Sequence, residues 1–126
     1  MDKRGITVCL VDDDALVLRA AGRLLSGEGW RVEKFCDPRA FLIYAKTHQP
    51  RVAIIDIIMP IMNGLEVQRR LRNISPLTQV IVLTSKDDPL VRSEAFEAGA
   101  AAFFLKPAAD IIFLQQIETA AASGNC

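Results

Sequence analysis

Five times along this chain a predicted strand gives way to a longer amphipathic stretch, and that alternation constrains the fold more than any other feature. The predicted strands are Ile6–Val11, Arg31–Phe35, Val52–Asp56, Gln79–Thr84 and Ala102–Leu105. Val52–Asp56 has no apolar–polar alternation, as expected of a strand covered on both faces. After the first strand, Val17, Ala20, Ala21, Leu24 and Leu25 recur at helical spacing, and Gly27 and Gly29 end that helix. Asp37-Pro38 and Asp88-Pro89 each pair an N-cap with proline at the first helical position. Phe41, Tyr44 and Ala45 mark the buried face of the second helix. Gly64, Val67, Leu71 and Ile74 mark that of the third, which follows a loop with Pro60 and Asn63. Gly99 closes the fourth helix, and the last is expected from Asp110 to about Ala122.

Strand–helix units repeated without a long linker predict a parallel sheet with helices on both faces. Five of them fit an α/β, flavodoxin-like (βα)5 doubly wound sandwich with parallel strand order 2-1-3-4-5. A chain of 126 residues, 51% of them hydrophobic, suits one domain over 1–126. Its structured part is expected to span about 5–122. Lys+Arg and Asp+Glu stand at 15 each, so charge gives this chain itself no reason to contact nucleic acid or a membrane surface. No apolar run approaches the roughly 18–20 residues of a membrane span. The first apolar stretch ends at Asp12, too early for a signal-peptide core and cleavage site. Cys9, Cys36 and Cys126 are odd in number and lack close pairing, which suits a reducing compartment. The expectation is a cytoplasmic protein.

In an open α/β sheet, ligands bind beyond the carboxyl ends of the strands. There the first strand delivers Asp12-Asp13-Asp14, the third Asp56, the fourth Thr84-Ser85 and the fifth Lys106-Pro107. The strand order sets the first and third side by side, so Asp12, Asp13 and Asp56 converge. Clustered carboxylates disfavour one another's ionisation, and a hard cation with oxygen ligands relieves this. Few protein ligands and open positions for water favour magnesium over calcium. Lys106 and Thr84 supply a charge and a hydroxyl for phosphoryl oxygens, which fits Asp56 as a phosphoryl acceptor. Taken singly, Asp14 is an ordinary N-cap, Thr84 a strand-end threonine and Lys106 a surface lysine; their convergence carries the reading.

Val11-Asp12-Asp13-Asp14, Asp56-Ile57-Ile58-Met59-Pro60, Met62-Asn63-Gly64, Leu83-Thr84-Ser85, Ala98-Gly99-Ala100 and Lys106-Pro107, in this order and spacing, resemble the response-regulator receiver domains of two-component signalling. The resemblance covers nearly the whole chain. Glu66–Leu71 and the last helix are similar to receivers of nitrogen-fixation-type transcriptional regulators. It implies Asp56 as phosphoacceptor, with magnesium held directly by Asp13, Asp56 and the backbone carbonyl of Ile58, and by Asp12 through water. It implies Thr84 and Lys106 on phosphoryl oxygens, Phe103 as the switch aromatic and a cis Lys106-Pro107 peptide. It further implies a sensor histidine kinase as donor. Thr84 then moves toward the phosphoryl group, Phe103 turns inward, and the face of the fourth helix, fifth strand and fifth helix changes for a partner or a homodimer. The protein is then a switch and not an enzyme beyond self-phosphorylation from small donors and slow self-dephosphorylation. It is either a stand-alone receiver or the receiver part of a longer DNA-binding regulator.

Ile61 and Ala108 depart from the pattern, standing where glycine and phenylalanine are common. Ile58 sets a large apolar side chain beside the acceptor. In the last helix Ile111, Ile112, Phe113, Leu114 and Ile117 exceed one buried face. They suit either a deep core helix or a partner patch involving Ile111 and Leu114. His48 reads as a surface histidine. Two other functions fit less of the sequence. A haloacid-dehalogenase-type phosphatase would use Asp12-x-Asp14, but Leu16 breaks its motif, only Asp110 and Glu118 remain for its late acidic pair, and Asp56 is unexplained. An unphosphorylated pseudo-receiver interaction module would not need every acidic, hydroxyl and lysine position filled.

Overall fold

The computed structural model describes residues 3, 5–107 and 111–123. Ala108, Asp110 and Cys126, named above, lie outside them. The elements are β1 (Thr7–Val11), α1 (Ala15–Gly27), β2 (Arg31–Phe35), α2 (Pro38–His48), β3 (Val52–Ile55), α3 (Gly64–Ile74), β4 (Gln79–Thr84), α4 (Pro89–Glu97), β5 (Ala102–Leu105) and α5 (Ile111–Ser123). The strands form one parallel sheet in the order β2-β1-β3-β4-β5, as the alternation predicts.

Successive strand side chains point to opposite faces, and two cores result. Cys9, Val11, Ala53, Ile55, Val82 and Phe103 pack with Phe41, Leu65, Val67 and Leu71 on the side of α2, α3 and α4. Val8, Leu10, Ile54, Ile81 and Leu83 pack with Leu18, Leu25, Phe113 and Ile117 on the side of α1 and α5. Both faces of β1 and β3 are covered, which is why Val8–Val11 and Val52–Ile55 read as unbroken apolar runs. β2, at the edge, carries its exposed charges. Burial, helped by the charge of Glu33, pushes the Cys9 thiol up to about 12, so it acts as a small apolar side chain.

The helix starts follow from local chemistry. Asp14, Asp37, Asn63 and Asp88 each accept a backbone N–H of the helix they precede. Gly29 and Gly99 take positive φ just after α1 and α4. The apolar stripe of α1 is only partly buried, with Leu25 inside and Ala21 and Leu24 at the edge of the core. In α1 the buried residues are Leu18, Gly22 and Leu25, while Ala20 is exposed. The side chain of Lys34 lies over Gly22, and Val17, Ala20, Ala21 and Leu24 instead line a groove with Leu83 and Pro107. In α5, Phe113 and Ile117 are buried, Leu114 packs partly against them, and Ile111 and Ile112 face solvent. This helix therefore has one core face and an exposed apolar start. His48 is exposed and stacks on Tyr44 with ring centroids 3.9 Å apart. No described helix is long and apolar enough to cross a membrane.

Gln49 ends α2 with φ 48°, a left-handed conformation that costs a non-glycine residue. Its side-chain Nε2 donates to the carbonyls of Ala45, Lys46 and Ile74, the last at 2.8 Å, joining the ends of α2 and α3. Gln49→Ala is expected to lower stability by about 1 kcal/mol. Gln49→Gly loses the same bonds but relieves the backbone, so it should cost less. Urea unfolding of the three proteins checks this ranking, and Ala matching wild type would show that the clasp contributes nothing.

Candidate functional site

The carboxyl edge of the sheet is assembled by main-chain bonds before any side chain is considered. The Asp56 N–H donates to the Val11 carbonyl at 2.9 Å, and the Asp12 N–H to the Phe35 carbonyl at 3.1 Å. Register pairs Val11 with Ile55, so Asp12 and Asp56 leave adjacent strands side by side. On the other flank the Lys106 N–H donates to the Thr84 carbonyl at 2.8 Å, and the Lys106-Pro107 peptide is cis. The loop after Asp56 is pinned from below. The Gly64 N–H donates to the Ile57 carbonyl at 2.8 Å, and Asn63 Oδ1 accepts the Leu65 N–H. Ile57 and Met59 turn into the core, leaving Ile58 and Ile61 half exposed.

The side chains meet as the strand-end argument requires. Asp12, Asp13 and Asp56 each offer a carboxylate oxygen, all within 4.8 Å of one another, with Asp12 and Asp56 buried and Asp13 exposed. Lys106 Nζ reaches Asp12 Oδ2 at 2.7 Å and Asp56 Oδ2 at 3.3 Å. Asp12 Oδ1 also accepts the Asp14 N–H. Thr84 is 1% exposed. Asp14 is exposed and caps α1, so the Asp12-x-Asp14 spacing that suggested a phosphatase has a structural explanation. Phe103 is buried on β5, on the face toward α4.

Burial, then the charge of Asp12, raises the Asp56 carboxyl above the usual carboxylate range, with Lys106 working against them. Burial works against the Lys106 ammonium, but the two carboxylates outweigh it and hold its pKa above the ordinary lysine value. Two buried polar atoms here, Asp56 Oδ1 and Thr84 Oγ1, have no hydrogen-bond partner among the described residues. Buried polar groups are rarely left so. An all-oxygen set of three carboxylates suits a hard divalent cation, and a bound anion beside it would satisfy the Thr84 hydroxyl.

Two features were not anticipated from the sequence. Gln68, inside the apolar stripe of α3, is buried and donates through Nε2 to the Ala95 carbonyl of α4 at 3.2 Å. Arg92 of α4 stands over the Phe103 ring, 5.3 Å from its centroid. Spacing signals neither, since each depends on where α4 docks.

Comparison with known proteins agrees with the geometry. The family model "Response regulator receiver domain" matches residues 8–118. "Transcriptional regulatory protein FixJ" of Rhizobium meliloti (strain 1021) is 33% identical over 114 residues, covering 90% of this chain and 56% of that protein. The crystal structure of FixJ-N has a TM-score of 0.85 at 32% identity, covering 93% of this chain and 94% of that one. The solution structure of the beryllofluoride-activated NtrC4 receiver domain dimer has a TM-score of 0.88 at 25% identity, covering 94% and 98%. The chain spans about half the length of the curated relatives it matches.

Proposed function

The chain belongs to the response-regulator receiver-domain family of two-component signalling, and from that premise we propose that it accepts a phosphoryl group from a sensor histidine kinase onto Asp56. The observation that carries this reading is the meeting of the Asp12, Asp13 and Asp56 carboxylates at one strand edge, where Lys106 Nζ bridges Asp12 and Asp56. An Asp56 oxygen attacks phosphorus, the bond from phosphorus to the donor breaks, and the donor leaves with that electron pair. The product is a mixed carboxylic–phosphoric anhydride. Lys106 exchanges part of its pairing with Asp56 for a phosphoryl oxygen, and the Thr84 hydroxyl donates to another. Asp13, Asp56 and the Ile58 carbonyl would hold magnesium directly, with Asp12 acting through water. The ion supplies charge neutralisation for the phosphoryl group.

The donor set supports magnesium through its hard oxygen ligands, one of them exposed to water. Receiver domains are signalling switches, and this one returns to its resting form by slow attack of water on the anhydride. Thr84 moves toward the phosphoryl group and Phe103 fills the space behind it, changing the face of α4, β5 and α5. Exposed Leu90, Leu105, Ile111 and Ile112 support that face as a homodimer contact, in keeping with the dimeric NtrC4 receiver. Residues 1–126 act as one receiver in the cytoplasm, where free Cys9 and Cys36 suit reducing conditions. The output is transcriptional, like that named for FixJ, and DNA contact falls to a separate module and not to this evenly charged chain.

Incubation with magnesium and acetyl phosphate should add one phosphoryl group to the intact mass. Chelation should prevent it, and peptide mapping should place it on Asp56. No gain from either acetyl phosphate or a histidine-kinase donor, or a gain on Asp12, would overturn the assignment. Ile58 supplies a further prediction. Its half-exposed side chain follows the acceptor by two residues, a position from which it would limit approach of water. Ile58→Asn should shorten the lifetime of the phosphorylated mass after donor removal, and an unchanged lifetime would sink that role.

A further inference from the structure

Resting on the reading of Phe103 as the switch aromatic, we propose that Arg92 is a positioning residue for the switch, its guanidinium capping the inward Phe103 ring and tying α4 to that rotamer. The ring is 7% exposed. The Arg92 guanidinium carbon lies 5.3 Å from the Phe103 centroid and 5.9 Å from that of Phe96, one turn along the same helix. A cation over an aromatic face is attracted by the ring quadrupole within about 6 Å. Phenylalanine has no hydroxyl with which to fasten itself inward, so a contact to its face is the polar device open to it.

The footing of α4 makes this contact consequential. Ala95 is the one fully buried residue among its nine, whereas α3 buries Gly64, Leu65, Val67, Gln68 and Leu71. Apolar burial holds α4 weakly, and directed contacts set its position. Gln68 grips the Ala95 carbonyl from the α3 side, and Arg92 grips Phe103 from the β5 side. When Phe103 turns outward the second grip is lost, so α4 and the ring change together. Arg92 is itself exposed, which keeps the effect modest.

The test is beryllofluoride binding, as a phosphoryl mimic with magnesium, by wild type, Arg92→Met, Arg92→Lys, Phe103→Leu and the Arg92→Met/Phe103→Leu double variant. Methionine keeps an unbranched apolar stem and removes the charge; lysine keeps the charge. Arg92→Met should weaken binding about two- to fivefold. Arg92→Lys should restore most of it, and the effect should vanish in the Phe103→Leu background. Magnesium affinity without the mimic should not move, which separates positioning from general damage. Wild-type binding with no loss in Arg92→Met, or a loss that persists undiminished without Phe103, overturns the proposal alone. Failure of wild type to bind beryllofluoride overturns the phosphoacceptor reading and this proposal with it.

Discussion

Asp56→Asn is expected to abolish phosphoryl uptake while making the metal-free protein more stable. The first effect follows from losing the attacking carboxylate oxygen. The second follows from the strain that carboxylate creates. Asp56 is buried, stands beside Asp12 and leaves Oδ1 without a hydrogen-bond partner among the described residues. Burial and the Asp12 charge raise its pKa in the folded state above its unfolded value. The folded protein therefore holds that proton more tightly, and wild-type stability falls as pH rises from the unfolded value of about 3.9 through the raised one. Above that window the whole penalty is present; below it both states are protonated and the penalty is gone. Asparagine removes the charge with little change of shape, and Lys106 keeps its 2.7 Å pairing with Asp12. The gain at neutral pH should be about 0.5–2 kcal/mol, the range typical when a strained functional group is relieved. It should shrink in acid. Urea unfolding at both pH values, with and without magnesium, measures it. Magnesium should stabilise wild type more than the variant. A variant less stable than wild type at neutral pH would mean that the Lys106–Asp56 pairing outweighs the burial and the carboxylate repulsion.

How much of this was legible in the sequence follows from the range of each interaction. The Asp-Pro caps of α2 and α4 and the glycines after α1 and α4 are local chemistry and read directly. The strands read almost as directly, since two covered faces leave β3, and β1 beyond its half-buried first residue Thr7, with no polar position. Given strand order, the meeting of Asp12, Asp13, Asp56, Thr84 and Lys106 at one edge also follows, because each stands at or just past a strand end. Docking detail does not. The spacing of α1 fits several neighbouring stripes, and the docked helix buries the one through Leu18, Gly22 and Leu25. Gln68 is polar in the sequence and buried in the fold because the Ala95 carbonyl of another helix receives it. Lys106 pairs more closely with Asp12 than with Asp56, a detail that strand order does not set.

The second large effect is expected from Gly64→Ala, at a residue that touches no substrate. Gly64 starts α3 with ordinary backbone angles, so left-handed geometry does not demand glycine there. Space does. A Cβ at this position would collide with the Asp56 carbonyl oxygen and lie 2.8 Å from the Ile57 Cα, and both obstacles are backbone. No rotamer change relieves the clash, so either α3 or the acceptor strand end must shift. Both are held, Gly64 by its bond to the Ile57 carbonyl and Asp56 by its bond to the Val11 carbonyl. Forced overpacking of this kind costs about 1–3 kcal/mol. The shift also moves Asp56 relative to Lys106 and Asp12, so phosphoryl uptake should slow even at temperatures where the variant is fully folded. Gly27→Ala is the matched control. Its Cβ would meet nothing within 4 Å and its φ is not positive, so stability should hold or rise by about 0.4–1 kcal/mol with uptake unchanged. Unfolding curves and timed mass measurements on the two variants separate the possibilities. If Gly64→Ala loses stability but phosphorylates at the wild-type rate, the helix has moved and the acceptor has not. If it loses neither, the close approach of α3 to Asp56 does not govern where the acceptor sits.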